Sequence, residues 1–175
     1  MTNTKRSGNE AIALRPVVAS DTPFLLHLFA ETRELEHRAV DWSEGEWDHF
    51  VRMQFRAQRT HYERVYPTAE HSIILHEGEP AGRLWVWESD EQLRLLDIAI
   101  LASYRRRGIG THLIRGLLTR ASAAGKPLRH MVEMNNPEAM RLYERLGFVP
   151  TEQRGFHWLM EWNALTSGVG PTGKM

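Results

Sequence analysis

Cysteine is absent from this 175-residue chain. That rules out a disulfide framework, a thiolate metal site and a cysteine nucleophile. Nothing requires an oxidising compartment. Long apolar runs are missing too: stretches such as residues 98–102 fall far short of the roughly 20 residues a membrane-spanning helix needs. Lys5 and Arg6 lie near the start, but no apolar stretch follows them, so the N-terminus does not read as a secretory leader. Net charge is absent, with 22 Lys and Arg against 22 Asp and Glu. At the level of the whole chain, nothing draws it to a nucleic acid or an anionic membrane. The expectation is a soluble, cytoplasmic protein. Helical zinc pairs are missing as well, because no two of the nine histidines lie three or four residues apart. There is no Gly-x-Ser-x-Gly elbow either.

What remains is an ordinary globular composition, 42% hydrophobic and 25% charged, of a length suited to one domain. Its charge is unevenly spread. Residues 98–132 hold Arg105, Arg106, Arg107, Arg115, Arg120, Lys126 and Arg129 and no acidic residue. A lone basic segment in a neutral chain suits a local anionic ligand or a solvated helix face.

Periodicity divides the chain into elements. Residues 11–18 read as a strand, and Asp21 sits where it would cap a helix. Phe24, Leu25, Leu28 and Phe29 make one face of that helix. Ser43 and Glu46 have capping-box spacing before a second helix, whose stripe is Trp47, Phe50, Val51 and Phe55 and which should fray near Thr60. Strands are expected over 71–76, 82–87 and 93–101, with a turn at 77–80. From Gly108 the period turns helical, through Leu113, Ile114, Leu117, Leu118 and Ala121, until Gly125 and Pro127 stop it. Residues 128–134 are extended. Asn136 and Pro137 then open a short helix that Gly147 closes, and strands follow over 148–152 and 156–162. Residues 1–10 and 164–175 read as flexible ends around one domain spanning 11–163. The order of elements is that of an α+β domain.

The stretch Tyr104-Arg-Arg-Arg-Gly-Ile-Gly-Thr111 carries the most information. It joins a strand to a well-patterned helix. Gly108 and Gly110 let the backbone turn and approach a ligand, and the free N–H groups of the first helical turn face whatever sits there. Such a loop suits phosphate oxygens, and a diphosphate would engage several N–H groups at once. A dinucleotide fingerprint would need glycine where Leu113 stands. The stretch Gly168-Val-Gly-Pro-Thr-Gly-Lys174 nearly matches a nucleotide-binding loop, but it ends in Met175 with no helix after it.

Arg105-Arg-Arg-Gly108-Ile-Gly110 resembles the Arg/Gln-x-x-Gly-x-Gly/Ala signature of the GNAT superfamily of N-acetyltransferases. A second match lies downstream, in Asn136, Ala139, Leu142-Tyr143 and Gly147-Phe148, and Leu14-Arg15-Pro16 with Asp21 resembles the family's opening. The resemblance covers residues 11–162. It implies a mixed, mostly antiparallel sheet of about seven strands with about four helices, in which the fourth and fifth strands splay apart.

It also implies a reaction. Members transfer an acetyl group from acetyl-CoA to a primary amine by direct attack, without a metal. The diphosphate would lie on Arg105, Arg106, Arg107, Gly108, Ile109, Gly110 and Thr111, held mainly by backbone N–H groups. The pantetheine arm would pair with backbone at Ile98, Ala99 and Ile100, as an added strand does. Asn136 would contact the cofactor as well as cap its helix. The oxyanion would take a backbone N–H near Ile100 or Leu101. Tyr143 stands at the position of the acid that protonates the leaving thiolate. Without the resemblance it would read as a core tyrosine. For the base, Asp97 interrupts the apolar run Leu95-Leu-Asp-Ile-Ala-Ile100 and is costly there unless paired or in a cleft. Glu133 is the second choice and Glu88 the third.

The resemblance implies that the acceptor would be a small-molecule or peptide amine. The acidic residues between Glu31 and Asp48 would draw a cation or simply solvate a helix. Trp42, Trp47, Phe50, Trp85 and Trp87 would line a pocket or fill a core. Members often pair, which leaves a homodimer open. A non-catalytic module that senses acyl-CoA is the alternative to an enzyme. RNA binding through 105–129 lacks the interleaved aromatics it would need.

Overall fold

The computed structural model describes residues 12–43 and 45–164. The expected flexible ends, 1–10 and 164–175, fall outside the described residues except for Ala164. The Gly168–Lys174 stretch falls outside them too. The described elements are β1 (Ile12–Pro16), α1 (Thr22–Thr32), α2 (Glu34–Ala39), α3 (Glu46–Val65), β2 (Glu70–His76), β3 (Glu79–Glu88), β4 (Leu93–Ile100), α4 (Ile109–Ala124), β5 (Leu128–Glu133), α5 (Pro137–Arg145), β6 (Val149–Arg154) and β7 (His157–Trp162). No described helix is long and apolar enough to cross a membrane.

The seven strands form one sheet in the order β1-β2-β3-β4-β5-β7-β6. Pairing is antiparallel between β1 and β2, β5 and β7, and β6 and β7. It is parallel between β4 and β5, where the ladder joins Leu93, Arg94 and Leu95 to Leu128, Arg129 and His130. β4 itself runs on to Ile100, beyond the residues of that short ladder. The expected mixed sheet is therefore present, with five α-helices among the described residues. The extra one, α2, has six residues and buries none of them, so no apolar stripe announces it.

The described residues fall into two compact units. The first runs up to Trp85 and includes Asp97–Ile109; the second comprises Val86–Leu96 and the residues from Gly110 on. In the first, Leu25 and Phe29 of α1, Val51 and Phe55 of α3 and Ile73 of β2 make the core. Each such side chain removed from water contributes about 1.5–3 kcal/mol. The β2–β3 turn takes two left-handed residues, Glu77 (φ 53°) and Gly78 (φ 87°), a hairpin turn whose twist matches its strands. β3 consequently begins at Glu79, earlier than the sequence pattern suggests. α3 runs five residues past the expected fraying point.

Two caps differ from expectation. Asp21 occupies the N-cap position of α1, yet its carboxylate is bound by Arg15 at 2.7 Å through both oxygens and by the Val18 N–H at 2.8 Å. The guanidinium holds its carboxyl at about 2, with the Val18 bond contributing. The stronger partner has taken the capping side chain. Of the Ser43–Glu46 capping box, one half forms, with the Ser43 N–H donating to Glu46 at 2.9 Å. The helix itself starts at Glu46 behind a left-handed Gly45.

In the second unit, Ile114, Leu117 and Ala121 of α4 are buried, as are Leu128 and Val132 of β5 and Met160 of β7. α4 ends in a Schellman turn: Lys126 N–H donates to Ala121 at 3.0 Å, and Gly125 carries φ 65°.

Candidate active site

The loop that enters α4 is built for close approach by its own backbone. Arg106 has φ 61° and Gly108 φ 79°, so two left-handed residues bracket Arg107. For arginine that region is strained. Alternating left-handed residues turn successive N–H groups toward a common concavity, the arrangement that holds anions. Gly108 directly precedes α4 and has no side chain with which to cap it. The first-turn amides of Ile109, Gly110 and Thr111 therefore meet no cap from that position.

The side chains around this backbone have separate tasks. Ile109 is 1% exposed and anchors the turn, so only its backbone can serve a ligand. Arg105 donates from Nε to the Ile100 carbonyl at 2.9 Å. The Arg107 guanidinium lies 5.2 Å from the Tyr104 ring centre. It borders an open depression of about 290 Å³ with His76, Glu77, Glu79, Ser103 and Tyr104. Glu31 on α1 accepts from the Ala102 N–H at 2.8 Å, so this carboxylate of the supposed acidic rim positions the loop instead.

Asp97 belongs to the same unit and is paired. Arg83 Nε donates to its Oδ2 at 2.6 Å, and the Arg83 NH2 group donates to Gln58 on α3 at 2.7 Å. Arg83 is 2% exposed and Asp97 21%. No further hydrogen bond of Asp97 occurs among the described residues, so Oδ1 stays available. Sequence reasoning missed Arg83. The signal was a lone cation in the apolar run Ala81-Gly-Arg-Leu-Trp-Val86, matched by a lone anion in the next strand. A charge buried so deeply requires a partner.

The remaining candidates belong to the other unit. Tyr143 is 3% exposed, with its ring 5.2 Å from Phe148, edge to face, and 4.8 Å from His130. His130 Nδ1 lies 2.8 Å from the Leu95 carbonyl, which fixes the proton on that nitrogen. Asn136 caps α5, its Oδ1 accepting from the Ala139 N–H at 3.0 Å. Glu133 is exposed, 3.9 Å from His157. Glu88 is clamped by Arg120 at 2.6 Å and Lys126 at 2.8 Å. Those bonds, Lys126 foremost, draw its carboxyl below the usual range, so Glu88 ties the end of β3 to the end of α4. No cluster of metal-ligating side chains occurs among the described residues.

The aromatics mostly pack on one another. Trp42, Trp47 and Phe50 have ring centres 5.1–5.7 Å apart. Trp85 is buried, stacked on His71 at 3.9 Å with an interplanar angle of 3°. Burial, and then the charge on Arg83, pushes the His71 imidazole down to about 4.

Comparison with known proteins bears on this arrangement. The profile of the acetyltransferase (GNAT) family matches residues 28–148. No curated protein matches the chain in sequence. Among solved structures, a PaiA N-acetyltransferase from Thermoplasma acidophilum in complex with coenzyme A aligns with a TM-score of 0.67 at 17% identity, covering 87% of this chain and 99% of that one. The ribosomal-protein-S18-alanine N-acetyltransferase of Escherichia coli aligns at 0.61 and 20% identity, covering 94% and 99%. Naa50 of Arabidopsis thaliana, in complex with a bisubstrate analogue, CoA-Ac-MVNAL, aligns at 0.56 and 15% identity, covering 87% and 99%. At such identities the likeness is one of fold.

Proposed function

This chain belongs to the acetyltransferase (GNAT) family, and from that premise we propose that it transfers an acetyl group from acetyl-CoA to a primary amine by direct attack. The observation that carries the reading is the entry to α4, where left-handed Arg106 and Gly108 precede a helix with no capping side chain. Amides in that state fit a diphosphate. The edge of β4 at Ile98, Ala99 and Ile100 would take the pantetheine arm. Asn136 would add a contact from its amide nitrogen, since its oxygen serves the cap. The activated thioester is what acetyl-CoA supplies.

The residues divide the remaining work. An amine acceptor with an ordinary ammonium pKa near 10 must shed a proton before its nitrogen can attack. Asp97 Oδ1 takes that proton, while Arg83 holds Oδ2 and fixes the carboxylate. The Ile100 N–H donates to the carbonyl oxygen as the C–N bond forms. As the C–S bond breaks, the Tyr143 hydroxyl gives its proton to the departing sulfur, and the second proton lost from the acylated nitrogen passes through solvent water to restore the phenol.

The test is CoA release across a panel of amines, wild type against Tyr143→Phe. The variant should lose at least about a hundredfold in kcat, the usual worth of a general acid, with acetyl-CoA affinity kept. Unchanged turnover removes Tyr143 from the mechanism. The burial of Tyr143 at 3% exposure favours a second reading, a non-catalytic acyl-CoA sensor. Tight CoA binding without turnover of any amine would select it.

A further inference from the structure

Gly82 sits in a run of buried residues on β3, Ala81 to Val86, in which every other member carries a side chain. Its glycine identity has an unusual cause. Gly45, Gly78, Gly108, Gly125 and Gly155 have positive φ, and a Cβ on any of them would meet nothing within 4 Å. Gly82 is the reverse, with no positive φ and no room. A Cβ there would lie 2.3 Å from the Ala99 carbonyl oxygen, 3.1 Å from the Ile100 Cα and 3.2 Å from the Ala99 carbonyl carbon. All three atoms are main chain, so none can swing aside as a flexible side chain would.

In a flat ladder the carbonyls lie in the plane of the sheet and the side chains stand out of it. A carbonyl oxygen in the space of a neighbouring Cβ means that the two strands depart from that flat arrangement at Gly82 and Ala99. The peptide is trans and planar, so the N–H of Ile100 points opposite to the Ala99 carbonyl, away from Gly82. The next two amides are already committed. Leu101 N–H donates to the Ala81 carbonyl at 2.9 Å, and Ala102 N–H to Glu31 at 2.8 Å. A side chain at position 82 would therefore press on the peptide that carries the Ile100 amide.

We propose that Gly82 is a positioning residue for acyl transfer: the absence of its side chain lets the Ala99–Ile100 peptide roll toward β3 and so aims the Ile100 N–H at the developing oxyanion. The inference rests on the acetyl-transfer reading above. It places a determinant of the reaction on a strand that supplies no reacting group.

The experiment compares wild type, Gly82→Ala and Leu84→Ala in kcat, KM and calorimetric affinity for CoA, at a temperature where all three are folded. Leu84 is a buried neighbour on the same strand, and its truncation reports the cost of general destabilisation. Gly82→Ala should lose about ten- to a hundredfold in kcat while CoA, which has no acyl carbonyl, binds within about threefold of wild type. Leu84→Ala should lower Tm and keep kcat. Wild-type kcat in Gly82→Ala overturns the inference and leaves acetyl transfer standing. A wild-type protein that binds neither CoA nor acetyl-CoA overturns both. Should Gly82→Ala not fold, the wild-type protein decides by NMR with ¹⁵N-labelled isoleucine. The Ile100 amide proton should move downfield with acetonyl-CoA, a ketone analogue of the thioester, and not with CoA. Equal shifts with the two overturn the inference.

Discussion

The entries to α4 and α5 are two helix N-termini with opposite provisions. At α5, Asn136 supplies its own acceptor to the Ala139 N–H and Pro137 removes a donor that would otherwise lack a partner. That end of the helix is largely satisfied by the chain itself. At α4 the preceding residue is Gly108, the backbone ahead of it is strained at Arg106, and three consecutive arginines lead into it. One terminus is closed for stability. The other holds its donors ready at some conformational cost. The contrast explains why two segments that both match family signatures carry different weight: a cap accounts for the Asn136 side-chain oxygen, whereas the α4 entry carries a left-handed arginine that no cap requires.

The largest effect that would sharpen this contrast is expected from Gly108→Pro. Proline cannot adopt φ 79°. Affinity for acetyl-CoA should fall about a hundredfold by calorimetry, roughly 3 kcal/mol, with Tm little changed. Retained affinity would break the comparison.

A pH dependence of stability comes next, and it tests whether unmet polar atoms always signal a ligand. His71 Nε2 and Trp85 Nε1 are buried with no hydrogen-bond partner among the described residues. Folded His71 stays neutral down to about 4, whereas in the unfolded chain it protonates near the ordinary 6.5. The unfolded state therefore binds more protons between those values, and stability falls as pH drops from 6.5 toward 4, levelling below. Thermal melts should follow that window, and His71→Gln should flatten it. The same slope in the variant would remove His71 as the cause.

Smaller still is the effect of Asn136→Ala. Loss of the cap should cost about 1 kcal/mol in denaturant unfolding, with cofactor affinity reduced severalfold at most. A loss of affinity as large as that of Gly108→Pro would make α5 as much a ligand site as α4. The least is expected from Arg106→Gly, which relieves the strain and loosens the loop together. Affinity should change by less than about threefold.

Much of this was legible in the sequence because it rests on local rules. Gly125 followed by Pro127, Asn136 followed by Pro137 and the Arg-Gly turn each fix an element within a few residues of themselves. The strands followed from alternation and turn residues, with errors at their ends where Glu79 and Pro80 extend β3. Long-range pairing was not legible. Asp97 stood out as a charge in an apolar strand, but its bond to Arg83 depends on strand register and the bond from Arg83 to Gln58 on how α3 packs. Glu31 read as one of many acidic residues, because its partner Ala102 lies 71 positions away. Asp21 read as a cap because nothing local shows that Arg15 competes for its carboxylate. Gly82 gave no sign, since its constraint is the space that another strand's backbone occupies.

The most direct test of the central claim is calorimetric titration of the wild-type protein with CoA and with pantetheine, which lacks the diphosphate and the nucleotide. An amide cradle entering α4 predicts that CoA binds, that pantetheine loses most of that affinity, and that Gly108→Pro brings CoA down to the level of pantetheine. Equal affinity for the two ligands, or CoA binding unaffected by Gly108→Pro, would contradict it.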